Sequence, residues 1–174
     1  MHSHSDWLLL EDGGGPSKIR QGVTTEVLGE GGSAGPAKGR LVPRPVSIRN
    51  QPAQVRTLGE YFAAVERSGV AVNVASYIGA GSVWQCVMGQ SFDSPSSEQL
   101  RQMEELVEEG MRDGAMGLST ALIMPPGSLA TTDHLVALCR VVRKYGGIYS
   151  SHIRDEGVGV FDWVKEAIAI GERA

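Results

Sequence analysis

Short β-branched runs alternate with longer stretches of helical spacing along this chain, and that alternation restricts its fold more than any other feature. Residues 23–28 read as a strand that stops at Gly29. Thr57 is placed to cap a helix with Leu58, Tyr61, Phe62 and Val65 on one face and Gly69 at its end. Residues 70–75 read as a strand, and residues 79–89 as a loop that continues into a short helix. Ser96 opens the clearest helix, with Gln99 three residues on as in a capping box. Its apolar face is Leu100, Met103, Leu106, Val107 and Met111. Glu104, Glu105, Glu108 and Glu109 read as a solvated face. Residues 115–120 form the next strand. Thr131 or Thr132 caps a helix with Leu135, Leu138, Cys139 and Val142 apolar. Ile148-Tyr149-Ser150-Ser151-His152 is a further strand, and a last helix starts near Val160.

Counting a first strand that ends at His2 and His4, with a short helix over 16–21 before the second, the chain carries about five strands, each followed by a helix or loop. Such alternation implies α/β architecture, a parallel sheet covered by helices. A complete (β/α)8 barrel takes ~250 residues, so the expectation is a partial TIM-like barrel of about the first five strands. The 23 glycines gather at 13–15 and 29–35, which marks loops, and residues 30–52 read as one long Gly/Pro loop.

Side chains two apart in a strand share a face, so His2 and His4 are placed to hold one metal ion. Functional groups of such folds lie at the carboxyl ends of strands, where Glu30, Ser119, Thr120 and His152 also fall. Histidine and carboxylate are ordinary ligands of zinc and similar ions. Taken singly, each residue has a plainer reading. The dyad is then an exposed tail, Glu30 a solvated loop carboxylate and His152 a hydrogen-bonded core histidine. Their shared placement at strand ends favours the metal. His134 sits at a helix start and reads as surface.

The residues also carry a resemblance. His2-Ser3-His4-Ser5-Asp6 is similar to the first-strand HxHxD motif of the amidohydrolase superfamily. Gln21-Gly22-Val23-Thr24-Thr25 followed by Gly29-Glu30-Gly31-Gly32-Ser33 resembles the second-strand region of the N-acyl-D-amino-acid deacylases (D-aminoacylases). The stretch from Gly114 to Thr120 with Pro125-Pro126-Gly127, and that from Gly146 to Gly157, resemble their fourth- and fifth-strand motifs. The resemblance implies a hydrolase of linear amide bonds in N-acyl-D-amino acids, using zinc, one or two ions, to activate water. His2, His4, Glu30 and His152 would be metal ligands. Arg154 and Asp155 would orient the loop around His152, a supporting role. Related deacylases carry a cysteine where this chain has Gly31, and a substrate-holding tyrosine where it has Met124. A phenol that donates a hydrogen bond is there replaced by a thioether that cannot.

The family's proton-shuttling aspartate and a further metal histidine would fall beyond Ala174. The expected organisation is therefore residues 1–174 as part of a catalytic barrel, without its flanking β-domain and C-terminal half, and inactive alone. Two alternatives accompany this reading: an amidohydrolase acting on a cyclic amide or dipeptide, and a non-catalytic truncated product with open sheet edges. A net charge of −4 without a basic run disfavours nucleic acid as a partner. No apolar stretch is long enough to cross a bilayer, and no signal peptide is visible. A small-molecule N-acyl amino acid as partner and a cytoplasmic location are expected. Cys86 and Cys139 read as buried, reduced thiols.

Overall fold

The computed structural model of the chain describes residues 3–48 and 51–174. Its elements in order are α1 (Leu8–Glu11), α2 (Pro16–Ile19), β1 (Thr25–Leu28), β2 (Pro45–Ile48), β3 (Gln51–Gln54), α3 (Leu58–Ser68), β4 (Asn73–Ser76), β5 (Ile78–Gly79), α4 (Ala80–Met88), α5 (Ser97–Arg112), β6 (Gly117–Ala121), α6 (Thr132–Lys144), β7 (Ile148–His152) and α7 (Val160–Arg173). A single 3-10 turn, Gly127–Leu129, follows β6.

β1 pairs with β4 in parallel, Leu28 beside Ser76. β5, β6 and β7 form a second parallel set, with Ser119 beside Gly79 on one side and Ser150 on the other. Only Tyr77 separates β4 from β5, and the Met116 amide donates to the Ser76 carbonyl at 2.9 Å. The parallel strands therefore stand side by side in chain order, with their carboxyl ends on one side. Leu28, Ile78 and Leu118 are fully buried on successive strands. Met103 and Val107 of α5, Leu135 and Leu138 of α6 and Ile170 of α7 join them in one core. Each such aliphatic side chain contributes roughly 1.5–3 kcal/mol when buried.

The structure departs from the sequence expectation in several places. Four parallel positions are described, not five: residues 3–5 form no ladder, and the Leu9 amide bonds the Ser5 carbonyl as the chain turns into α1. His2 lies outside the described residues. The long loop over 30–52 is not all loop, because β2 and β3 pair as an antiparallel hairpin, Val46 opposite Ala53. The strand expected at 70–75 begins only at Asn73. The glutamates of α5 also divide. Glu105 is exposed, whereas Glu109 pairs with Lys38 at 2.5 Å and Glu108 with Arg112 at 2.9 Å. Among the described residues β7 pairs only with β6, and α7 leaves Phe161, Val164 and Ile168 exposed. Both cysteines are buried thiols, and burial pushes Cys139 up to about 12. No helix among the described residues is long and apolar enough to cross a membrane.

Local chemistry explains the helix starts. Thr57 accepts from the Glu60 amide, and Ser96 with Gln99 closes a capping box. Thr131 caps α6, and here the reciprocal partner is His134, whose Nδ1 accepts from the Thr131 amide at 3.3 Å. His134 is half-buried, with its ring 6.3 Å from that of Trp84, rather than simply on the surface. An imidazole accepts at Nδ1 only when that nitrogen is unprotonated. Burial lowers the His134 pKa, against an upward pull from Asp133. The unfolded chain thus takes up the proton first. The cap's contribution is full above the ordinary histidine range and is lost as pH falls through it. The bond contributes on the order of 1 kcal/mol. Thermal melts at pH 7 and pH 5 should show this loss, and His134→Gln, which keeps an acceptor without a proton to gain, should flatten it. An unchanged pH slope in the variant would count against the assignment.

Candidate metal centre

The carboxyl ends of β1, β6 and β7 open onto one cavity of about 380 Å3 lined by His4, Glu30 and His152. Thr120 and Ala121 form part of its floor, and Ile123, Met124 and Pro125 an apolar wall. The cavity lies where the parallel strands end, the usual place for a ligand in such a sheet.

Glu30 stands between two glycines in left-handed conformation, Gly29 at φ 80° and Gly31 at φ 72°. That backbone favours residues without a Cβ. The Gly32 amide closes back onto the Glu30 carbonyl at 2.8 Å, and the Gly81 amide of α4 donates to the Gly31 carbonyl at 2.8 Å. Ser119 of β6 accepts from the Gly31 amide at 2.9 Å and donates to the Gly29 carbonyl. Ser33 carries the loop onward: its hydroxyl accepts from the Gly79 amide, and its own amide donates to Ser82 Oγ, both at 2.9 Å. A side chain at Gly31 would meet the Cβ of Ala121 at 2.6 Å. The space that a cysteine would need at this position is occupied.

His152 is the last residue of β7, and its carbonyl accepts from the Leu122 amide at 2.8 Å. Its Nε2 lies 3.4 Å from Glu156 Oε1. The following loop is held firmly. The Arg154 guanidinium makes a two-pronged pair with Glu166 at 2.8 and 3.1 Å, and reaches the Ala130 carbonyl at 2.6 Å and the Ser128 carbonyl at 3.2 Å. It also lies 5.7 Å above the Trp163 ring. Asp155 accepts from the amides of Gly157 and Gly159, each at 2.8 Å, and these bonds hold its carboxyl below the usual range.

His4 is exposed and lines the cavity, while Ser3 and Asp6 near it are buried. Ser3 donates to the buried Glu26 of β1 at 3.0 Å and accepts from Lys18 at 3.1 Å; Lys18 lies 3.6 Å from the other Glu26 oxygen. Asp6 is buried, and burial raises its pKa against the pull of nearby amides, including those of Gly29 and Ala34, and of His4. The Tyr61 hydroxyl donates to the Asp6 carbonyl at 2.6 Å, and Tyr61 meets the Trp7 ring edge-on at 6.2 Å, while the Arg44 guanidinium lies 5.3 Å over the Trp7 ring. Sequence reasoning missed Glu26, Lys18 and Tyr61. The one available signal was the charge of Glu26 on the same face of β1 as Leu28, a polar residue where a core residue belongs.

Two imidazole or carboxylate positions at strand ends and one before α1 thus share a cavity. In kind they suit a divalent ion. They surround the cavity rather than close on one point: among the described residues no three His, Cys, Asp or Glu stand close enough to hold an ion together. Met124, 59% exposed, is on the cavity wall, and Arg154 and Asp155 stand behind His152.

No family model matches the chain. It is 34% identical over 173 residues to a D-aminoacylase of Alcaligenes xylosoxydans xylosoxydans, a match covering 98% of this chain and 36% of that protein. The chain is likewise similar to an N-acyl-D-aspartate deacylase and an N-acyl-D-glutamate deacylase of the same organism, each at 32% identity. Its fold superposes on the N-acyl-D-glutamate deacylase of Bordetella bronchiseptica, solved with zinc and a phosphonate inhibitor that mimics the tetrahedral intermediate. The TM-score is 0.85 at 30% identity, over 98% of this chain and 36% of that one. A D-aminoacylase studied for its binuclear metal centre, with one-metal activation and second-metal attenuation, gives a TM-score of 0.86 at 30% identity, over 99% and 37%. The chain thus spans little more than a third of the relatives it matches.

Proposed function

We propose that this chain is part of a metal-dependent hydrolase with a (β/α)8 barrel that cleaves the amide bond of N-acyl-D-amino acids. The observation that carries the reading is the meeting of His4, Glu30 and His152 on one cavity at the carboxyl ends of parallel strands. Its relatives are deacylases, and solved examples hold zinc or a binuclear metal centre. In this reading His2, His4, Glu30 and His152 hold one or two zinc ions. The metal would supply Lewis acidity toward an amide carbonyl and toward water.

The chain's own residues do the rest of what is assigned here. The apolar wall of Ile123, Met124 and Pro125 receives an uncharged part of the substrate and excludes water from it. Met124 packs against substrate but offers no hydrogen to donate. Arg154 and Asp155 fix the backbone after His152 and so set the direction of its imidazole. Proton transfer to the leaving amine is assigned to no residue of this chain.

Zinc affinity tests the reading. Competition against a chromophoric chelator should show zinc bound by the purified chain. His4→Ala and His152→Ala should each lower the affinity by at least about 100-fold, since a ligand is lost outright where even outer-shell partners matter 10- to 100-fold. Equal affinity in wild type and both variants would sink the assignment.

A further inference from the structure

We infer that Ser119 is a positioning residue for Glu30, acting through the backbone on both sides of it. The inference rests on the reading of Glu30 as a metal ligand. Glu30 hangs between Gly29 and Gly31, both at positive φ, and a glycine backbone is the least restricted of any. A side chain carried on such a pivot needs an outside anchor if it is to point one way. Ser119 is fully buried in β6, which is flanked by β5 and β7. Its hydroxyl donates to the Gly29 carbonyl before Glu30 and accepts from the Gly31 amide after it. One hydroxyl thus uses its single donor and an acceptor lone pair to bracket one residue. It makes no hydrogen bond to the Glu30 carboxylate, so its effect on a bound ion is transmitted by the loop.

No other residue type of this size does the same. Alanine supplies neither bond, and cysteine supplies weak ones. Ser68, at the end of α3, is the internal control: its hydroxyl donates to the Val65 carbonyl at 3.0 Å, and it holds neither side of Glu30.

The experiment measures zinc affinity by chelator competition, with thermal melts alongside, for wild type, Ser119→Ala, Ser119→Cys, Ser68→Ala, Glu30→Gln and the Ser119→Ala/Glu30→Gln pair. Ser119→Ala should lower zinc affinity about 10- to 100-fold, the range for a lost supporting contact. Ser119→Cys should recover part of it, and Ser68→Ala should leave it near wild type. In the Glu30→Gln background, Ser119→Ala should cost nothing further, because the two residues act in series. Additive losses overturn the inference, as does an unchanged affinity in Ser119→Ala when Glu30→Gln lowers it. Loss of the folded state in both Ser119 variants also overturns it, since the hydroxyl would then serve the fold. If Glu30→Gln leaves affinity unchanged, the reading of Glu30 as a ligand fails first, and this inference with it.

Discussion

Gly29→Ala is expected to destabilise the chain by about 3 kcal/mol or more, a fall of roughly 6–12 °C in Tm for a domain of this size. Gly29 has φ 80°, and an L residue in left-handed conformation costs roughly 1–2 kcal/mol by itself. The added methyl would then stand 2.3 Å from the Tyr77 carbonyl oxygen and 2.7 Å from Ser76 Oγ. Neither neighbour yields cheaply. Tyr77 is backbone between β4 and β5, and its amide is bonded to the Leu28 carbonyl at 2.9 Å. Relief would require β1 and β4 to part where their parallel register ends. Urea or thermal unfolding measures the loss, and a variant that melts with the wild type would show that the bend can be rebuilt without cost.

Arg154→Ala should be comparably damaging, about 2–3 kcal/mol, somewhat less than removing one member of a fully buried ion pair because this pair is only partly buried. Glu166 is left with its side chain 9% exposed and only the Thr132 hydroxyl at 2.7 Å for company. The carbonyls of Ser128 and Ala130 lose a donor as well. Arg154→Lys should recover only part of the loss, because an ammonium cannot make the planar two-pronged contact. The double variant Arg154→Met/Glu166→Leu should recover more, since it removes the stranded carboxylate. Urea unfolding of the three variants decides between them. Equal losses in Arg154→Ala and the double variant would show that the carbonyl contacts, not the ion pair, carry the effect.

Much of the framework was legible because its causes are local. Thr57, Ser96 and Thr131 bond to amides three residues away, and such spacing is visible in a sequence. The apolar faces of α5 and α6 follow helical spacing, and Ile148–His152 forms a strand at the expected bounds. The hairpin of β2 and β3 was hidden because Pro45 and Pro52 read as loop residues, although proline is tolerated on a two-stranded edge. The stretch before α1 was misjudged because a short apolar run such as Trp7–Leu10 suits strand and helix equally. Within the candidate site, His4, Glu30 and His152 were expected together from residue type and expected placement, and they line one cavity. The contacts that hold them were not. Ser119 and Gly31 are 88 residues apart, Ser3 and Glu26 are 23 apart, and Tyr61 and Asp6 are 55 apart. Pairings of that span depend on how strands are ordered in space, which no local pattern records.

Trp7 follows His4 by three residues and is wedged between Tyr61 and Arg44. An indole in contact with a phenol ring and a cation has an emission that depends on both. The segment bearing His4 therefore carries its own optical reporter. With Trp84 and Trp163 replaced, a change at the imidazole can be followed by light alone, without a label and without turnover.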